Sequence, residues 1–391
     1  MDRFPEKLGK KLQERKEQNT FRELKKGSGK TDFVSNDYLG MAREEEVFHG
    51  ALSILESMGL MRNGSTGSRL LSGNTELHER TEISLARLYG SESALIFNSG
   101  YDANLGFFSS VPQRDDVVLF DEYVHASMRD GIRMGLGRSY KYKHNDLEDL
   151  RQILRRIRPE GDRAVQCYIA TEAVFSMDGD QPDLPSLLDL CSEFGCRLVL
   201  DEAHKLKEWW ENSTGNRMGE LLDQMAFARI VTFGKGMGVQ GAAVLGSEEL
   251  RSYLINFARS FIYSTALPPM SIASVLYVCD HMSKDTLRER NERLRSHISV
   301  FLEELKTRGL KERFIPSTSA IHSCIIPGNN TVKQVTDLLN KSGFDVRPIL
   351  APTVPAGKER IRFCLHSFNA VEEIKEVLSI LAHALEEIVH A

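Results

Sequence analysis

Val165-Gln166-Cys167-Tyr168-Ile169-Ala170-Thr171 is an apolar run of strand length, a helical pattern follows over Leu184–Phe194, and a second apolar run, Arg197-Leu198-Val199-Leu200-Asp201, follows that. Strand, helix and strand in close succession form the repeating unit of a sheet whose strands run parallel. The alternation continues outward. Strands are expected at Ala94–Asn98, Val117–Asp121, Arg229–Phe233 and Ala242–Gly246, and a further helix at Asp146–Arg156. The fold class read from this pattern is α/β with a mainly parallel sheet. Such sheets bind ligands beyond the carboxyl ends of their strands, so the residues closing each strand carry the functional question.

Outside this core, residues 6–26 read as a charged, weakly amphipathic helix, followed by the turn Lys26-Gly27-Ser28-Gly29-Lys30. Residues 283–309 form a long helical pattern rich in Arg and Glu that leads out of the large domain. Ala320–Ile326, Asp345–Ile349 and Arg360–Leu365 then read as strands. Ile374, Val377, Leu378, Leu381, Leu385 and Ile388 fall at helical spacing and mark a C-terminal helix. The expected division is an N-terminal helix and arm over 1–45, a large α/β domain over 46–280 and a small α+β domain over 281–391. A length of 391 residues suits one large domain plus a smaller one.

Composition excludes several classes. A net charge of −5 lacks the basic excess of a general nucleic-acid binder. Cys167, Cys191, Cys196, Cys279, Cys324 and Cys364 form no CxxC pair and no Cys/His cluster of zinc spacing, so reduced thiols and no metal are expected. The start, Met1-Asp2-Arg3-Phe4-Pro5-Glu6-Lys7, has no apolar leader segment, and no apolar run reaches membrane-spanning length. The cytoplasm is the expected location.

Two motifs together imitate an ATPase. Gly29-Lys30-Thr31 resembles the end of a phosphate-binding loop, and Asp201-Glu202-Ala203-His204 after an apolar strand resembles the acidic box of a DEAH-type helicase. The loop, however, needs a glycine where Leu24 stands and a buried strand where the polar stretch Glu23-Leu24-Lys25-Lys26 stands. Gly-Ser-Gly-Lys reads better as an exposed turn.

A different chemistry accounts for more residues. Lys235 lies in Thr232-Phe233-Gly234-Lys235-Gly236-Met237-Gly238, directly after a strand, with three glycines leaving room for a cofactor beside it. Asp201 closes a buried strand and needs a partner there; a pyridinium N–H would be one, a helix cap or ion pair another. His204 follows within reach of a ring hydroxyl. Asn98-Ser99-Gly100-Tyr101-Asp102 joins a strand to a helix, the geometry that offers free N–H groups to a phosphate, although many such turns are plain caps. His125, in Asp121-Glu122-Tyr123-Val124-His125, stands past another strand end, where it would stack on a ring or serve structure alone. Arg362 would grip a substrate carboxylate or form a surface salt bridge. Lysine, ring-nitrogen acid, stacking group and phosphate turn are the parts that pyridoxal 5′-phosphate (PLP) chemistry requires.

The chain resembles the α-oxoamine synthases, a branch of the fold-type I PLP enzymes. The resemblance spans nearly the whole chain and rests on Ser35-Asn36-Asp37-Tyr38-Leu39-Gly40, Gly64-Ser65-Thr66-Gly67-Ser68-Arg69-Leu70, Phe175-Ser176-Met177-Asp178-Gly179-Asp180, Thr232-Phe233-Gly234-Lys235 and Pro352-Thr353-Val354-Pro355-Ala356-Gly357. It implies decarboxylative condensation of an amino acid with an acyl thioester. Leu71-Ser72-Gly73, Thr265-Ala266-Leu267-Pro268-Pro269 and His366-Ser367-Phe368-Asn369 tilt it to the biotin-pathway branch, with L-alanine and a pimeloyl thioester (CoA or acyl carrier protein). The resemblance implies Lys235 as imine lysine and base, Asp201 on the ring nitrogen, and His125 on the ring face. Ser176 and His204 fall to the ring oxygen, and Gly100, Tyr101 and Thr232 to the phosphate. It implies Thr265 at the phosphate of the other subunit of a homodimer. Arg362 and Asn36 would hold the amino-acid carboxylate, and Thr353 and Arg22 the acyl substrate.

The pattern departs from the family in two places. After His204 a small residue, Thr and Gly are usual, but here Lys205-Leu206-Lys207-Glu208-Trp209-Trp210 follows, with Ser213-Thr214-Gly215 displaced. Gly236-Met237-Gly238-Val239-Gln240 is also unusual. The alternatives left open are a glycine- or serine-using synthase of the same family, a PLP-binding homologue with little catalysis, and the ATPase. The tryptophans fit an acyl channel, a dimer contact or ordinary packing.

Overall fold

The computed structural model describes residues 4–24, 27, 29–157, 165–206, 222 and 224–389. Two compact units are present. One comprises Leu39–Ser176 and Gln181–Asn291; the other comprises Met1–Tyr38, Met177–Asp180 and Glu292–Ala391. The N-terminal segment thus groups with the C-terminal residues, and the boundary at Asn291 falls inside the helix Lys284–Thr307.

The larger unit is built on a seven-stranded sheet. Its order is Ser93–Phe97, Ala242–Gly246, Ala226–Thr232, Arg197–Asp201, Cys167–Glu172, Val117–Asp121 and Arg138–Tyr142. Ala242–Gly246 runs antiparallel to both neighbours; every other pairing is parallel. Strand alternation sends side chains to two separate cores. Val118, Ala170, Val199 and Ile230 pack with Phe107, Met128 and Leu254. Leu119, Ile169, Leu198 and Leu200 pack with Leu150, Leu154, Leu187 and Leu188. Strands buried on both faces read as continuous apolar runs, which is why most of them were visible in the sequence.

The helix Leu184–Phe194 shows how local sequence sets an element. Asp183 caps it by accepting from the Ser186 N–H at 3.2 Å, Pro185 sits in its first turn, and Gly195 ends it at φ 62°. Between these signals Leu187, Leu188, Leu190 and Cys191 are buried.

Two expectations are corrected. The first helix covers Glu6–Glu17 rather than 6–26, because Asn19 adopts φ 54° and turns the chain out of the helix. Arg138–Tyr142 is an additional edge strand; its polar, largely exposed residues carry no apolar run.

The smaller unit holds the antiparallel sheet Arg347–Ile349, Arg360–Cys364 and Ile321–Ile325, and a short parallel pair, Thr31–Asp32 with Phe344–Asp345. Its C-terminal helix, Val371–Val389, buries Ile374, Val377, Leu378, Leu381 and Leu385. No described helix is long and apolar enough to cross a membrane. Cys167, Cys191, Cys324 and Cys364 are buried free thiols, and Cys196 and Cys279 are half-buried ones.

Candidate active site

Three adjacent strands of the large sheet, Cys167–Glu172, Arg197–Asp201 and Ala226–Thr232, finish in polar residues at their carboxyl ends. Asp201 is buried there. Its Oδ1 accepts from the Ala203 N–H at 2.9 Å and its Oδ2 from Asn104 Nδ2 at 2.8 Å. Each carboxylate oxygen has a second lone pair, so both keep acceptor capacity. In the turn after the same strand, His204 is buried, and its Nε2 lies 2.6 Å from Lys235 Nζ. An ammonium has no acceptor, so with Lys235 charged the imidazole nitrogen accepts.

His125 precedes the helix Ala126–Met134 and accepts from the Ser127 N–H through Nδ1 at 3.3 Å. Partial burial lowers its pKa below the usual histidine value. Lys235 pushes the same way, against the opposing pull of Asp201 and Asp130. Glu172 faces Asp201 in strand register. Burial pushes its carboxyl up to about 8, and the Asp201 charge adds to the effect, outweighing Lys235 and the hydrogen bonds from the His125 and Ser176 N–H groups. Lys235, His204, Asp201 and His125 are therefore brought into one electrostatic cluster, with Glu172 as a fifth member that carried no motif in the sequence.

The turn Asn98–Asp102 has the expected form. Ser99 Oγ caps the helix Gly100–Ser110 by accepting from the Asp102 N–H at 3.1 Å, and the amides of Gly100 and Tyr101 have no acceptor within the helix. Thr232 stands beside Gly100: a Cβ on that glycine would lie 3.5 Å from Thr232 Cβ. The Thr232 hydroxyl donates to the Gly241 carbonyl at 3.2 Å. The Tyr101 hydroxyl donates to Asp130 at 2.5 Å, which raises its pKa. Thr265 is exposed, and its carbonyl accepts from Asn98 Nδ2 at 2.8 Å. Ser176 is half-buried.

The glycines around Lys235 do not all serve the expected purpose. Gly234 is open, with nothing nearer than 3.9 Å. A Cβ on Gly236 would meet Leu206 at 2.5 Å, and one on Gly238 would meet the Ala42 nitrogen at 2.2 Å. Two of the three allow close chain approach rather than space for a cofactor.

In the smaller unit, Arg362 Nη2 donates to Asn36 Oδ1 at 3.0 Å, and Tyr38 donates to the same oxygen at 3.2 Å. The His366–Asn369 motif scaffolds this corner. Buried His366 lies 3.1 Å from Ser35 Oγ, Asn369 donates to the Asp32 carbonyl at 3.2 Å, and the Ser367 N–H to the Tyr38 carbonyl at 2.8 Å. Arg22 donates to Thr353 at 3.2 Å, both residues being exposed.

The helicase-like acidic box has a structural explanation. Glu202 is buried and paired with Arg229 at 2.7 Å. Burial raises its carboxyl pKa, but Arg229 and Lys205 overcome this and bring it to about 2. Thr31 of the other half-motif is in a β-ladder with Phe344. Trp209, Trp210 and Ser213-Thr214-Gly215 lie outside the described residues.

The family description aminotransferase class I and II matches residues 28–381. The chain belongs to that family. Within it, this family member is similar to 8-amino-7-oxononanoate synthase of Emericella nidulans, at 34% identity over 92% of the chain and 90% of that protein. Among solved structures it is similar to 8-amino-7-oxononanoate synthase from Francisella tularensis, with 27% identity, a TM-score of 0.73, and coverage of 92% of this chain and 98% of that one. It also matches a structure of SPT with its PLP internal aldimine, at 25% identity and a TM-score of 0.81, covering 92% and 88% of the two chains. The family member is an α-oxoamine synthase-type, fold-type I transferase, and PLP is its cofactor. The residues present fit that group. Asp201 keeps open lone pairs at a strand end, Lys235 has an open Gly234 before it, and Asn104 Oδ1 and Glu172 Oε1 are buried with no hydrogen-bond partner among the described residues.

Proposed function

We propose that this chain condenses an amino acid with an acyl thioester, releasing the thiol and carbon dioxide, and that the pair is L-alanine and a pimeloyl thioester, giving 8-amino-7-oxononanoate for biotin synthesis. The observation that carries the proposal is Lys235 Nζ set 2.6 Å from His204, in a cluster with Asp201 and His125 at adjoining strand ends. Names of similar proteins support the choice of substrates.

When bound, PLP supplies an electron-withdrawing ring that accepts the electron pair of the Cα–H bond. Lys235 would hold it covalently and afterwards take the Cα proton on Nζ. Asp201 would keep a proton on the ring nitrogen through its free lone pairs. His125 would cover the ring face, and His204 and Ser176 would donate to the ring oxygen. The amides of Gly100 and Tyr101 would bind phosphate, with Thr232 beside them. Thr265 would reach the phosphate of the partner in a homodimer. Arg362 would clamp the amino-acid carboxylate while Asn36 orients the guanidinium. Arg22 and Thr353 would contact the acyl substrate.

The test is an absorption spectrum of the purified protein, before and after L-alanine and then pimeloyl-CoA, with product analysis. The expected result is a borohydride-sensitive band that shifts with alanine, 8-amino-7-oxononanoate as product, and loss of both band and turnover in Lys235→Ala. Near-normal turnover in that variant would end the assignment of Lys235. A second reading, serine with a long acyl thioester, is supported by the higher TM-score of the SPT match. Response to serine and palmitoyl-CoA but not to alanine and pimeloyl-CoA would favour it.

A further inference from the structure

Two buried polar side chains connect His125 to Asp201. Asn104, 2% exposed, belongs to the helix Gly100–Ser110, and Ser127, 1% exposed, to the helix Ala126–Met134. Asn104 Nδ2 lies 2.8 Å from Asp201 Oδ2 and 3.1 Å from Ser127 Oγ. Ser127 Oγ lies 2.8 Å from His125 Nδ1.

Donor and acceptor chemistry fixes the proton on each atom. A flipped Asn104 amide would set its oxygen against a carboxylate oxygen, two acceptors with no proton between them. With Nδ2 facing Asp201, both amide hydrogens are committed, one to the carboxylate and one to Ser127 Oγ. Ser127 is then the acceptor toward Asn104, and its single O–H is left to donate to His125 Nδ1. The Ser127 backbone N–H donates to that same nitrogen. A ring nitrogen receiving two donors has no place for a hydrogen of its own.

We propose that Asn104 and Ser127 are positioning residues that hold His125 as the neutral tautomer protonated on Nε2 and tie its orientation to the Asp201 carboxylate. This rests on the reading that His125 and Asp201 flank the bound ring. The consequence is directional. His125 offers a reacting substrate one N–H donor, Nε2, and its proton traffic is confined to that atom. Asp201 is held by neutral N–H donors and keeps acceptor lone pairs for the ring nitrogen.

The experiment is imidazole ¹⁵N NMR of the holoenzyme and of the same preparation stripped of cofactor, with His125→Asn to assign the signals. The expected spectrum of the unmodified protein shows His125 with an unprotonated Nδ1 and a protonated Nε2 in both preparations. Ser127→Ala, which removes the hydroxyl donor, and Asn104→Leu, which frees the hydroxyl to turn, are expected to move the Nδ1 resonance. Each should raise the Nδ1–H population by roughly three- to tenfold, the weight of about one net hydrogen bond. A protonated Nδ1 in the unmodified protein overturns the proposal whether or not either variant folds. So does an unchanged Nδ1 signal in two folded variants. The site reading fails separately: a borohydride-sensitive band that survives in Lys235→Ala sinks that reading alone, and a protonated Nδ1 with normal band behaviour sinks the tautomer alone.

Discussion

Glu172 and Asp201 stand in register on neighbouring parallel strands, two carboxyls in one buried place. Burial drives the Glu172 carboxyl up, to about 8, and the like charge of Asp201 adds to the effect. A folded pKa above the unfolded one means that Glu172 favours folding most at low pH, and that this contribution is lost as pH rises from the ordinary glutamate range through about 8. Glu172→Gln is therefore expected to gain melting temperature over the parent protein at pH 9 relative to pH 5, as read by thermal unfolding across that range; a pH-independent difference would refute this. Glu202 behaves oppositely, because Arg229 compensates it. Glu202→Ala removes the carboxylate that compensates a buried guanidinium, leaving Arg229 its bond to the Tyr89 carbonyl, and is expected to cost about 3–5 kcal/mol in denaturant unfolding. At this scale the sequence singled out Lys235, Asp201, His204 and His125, since each closes or follows an apolar strand, and the structure places them near one another. Asn104 and Ser127 stayed hidden because their meaning arises from contacts 97 and 23 residues apart along the chain.

Among the elements, the turn after Ala226–Thr232 is constrained by what it touches. Gly238 has φ 65°, and a Cβ there would strike the backbone at Met41 and Ala42. Gly238→Ala is expected to cost at least ~1 kcal/mol from the left-handed conformation alone. The clash comes in addition, and it would displace the segment that carries Lys235. Thermal unfolding and the cofactor retained after gel filtration measure the two effects. Elements with two buried faces or a clear helical stripe were legible, among them Arg197–Asp201 and Leu184–Phe194, whose bounds agree with their sequence patterns. Arg138–Tyr142 was not, because an edge strand needs only one neighbour and tolerates polar residues on both faces. The early end of the first helix depends on one backbone dihedral at Asn19, which periodicity does not register.

For the whole molecule, the larger unit exposes Leu71 at 83% and Tyr263 at 73%, alongside Phe48, Met61 and Leu70. The homodimer proposed above would give some of these side chains a partner surface. The proposed homodimer predicts a dimeric mass in sedimentation equilibrium, and Leu71→Glu with Tyr263→Glu is expected to shift it toward monomer with loss of turnover. Among the described strands, Ser93–Phe97, which leads into the turn Asn98–Asp102, pairs only with Ala242–Gly246, and Ser93 hydrogen-bonds to Gly246 across 153 residues of chain. Closing so long a loop is entropically unfavourable and slow, whereas the hairpin that presents Lys235 closes locally. The Lys235 hairpin is therefore expected to form before the turn Asn98–Asp102 is set against it, so that cofactor capture during refolding would report the longer-range pairing.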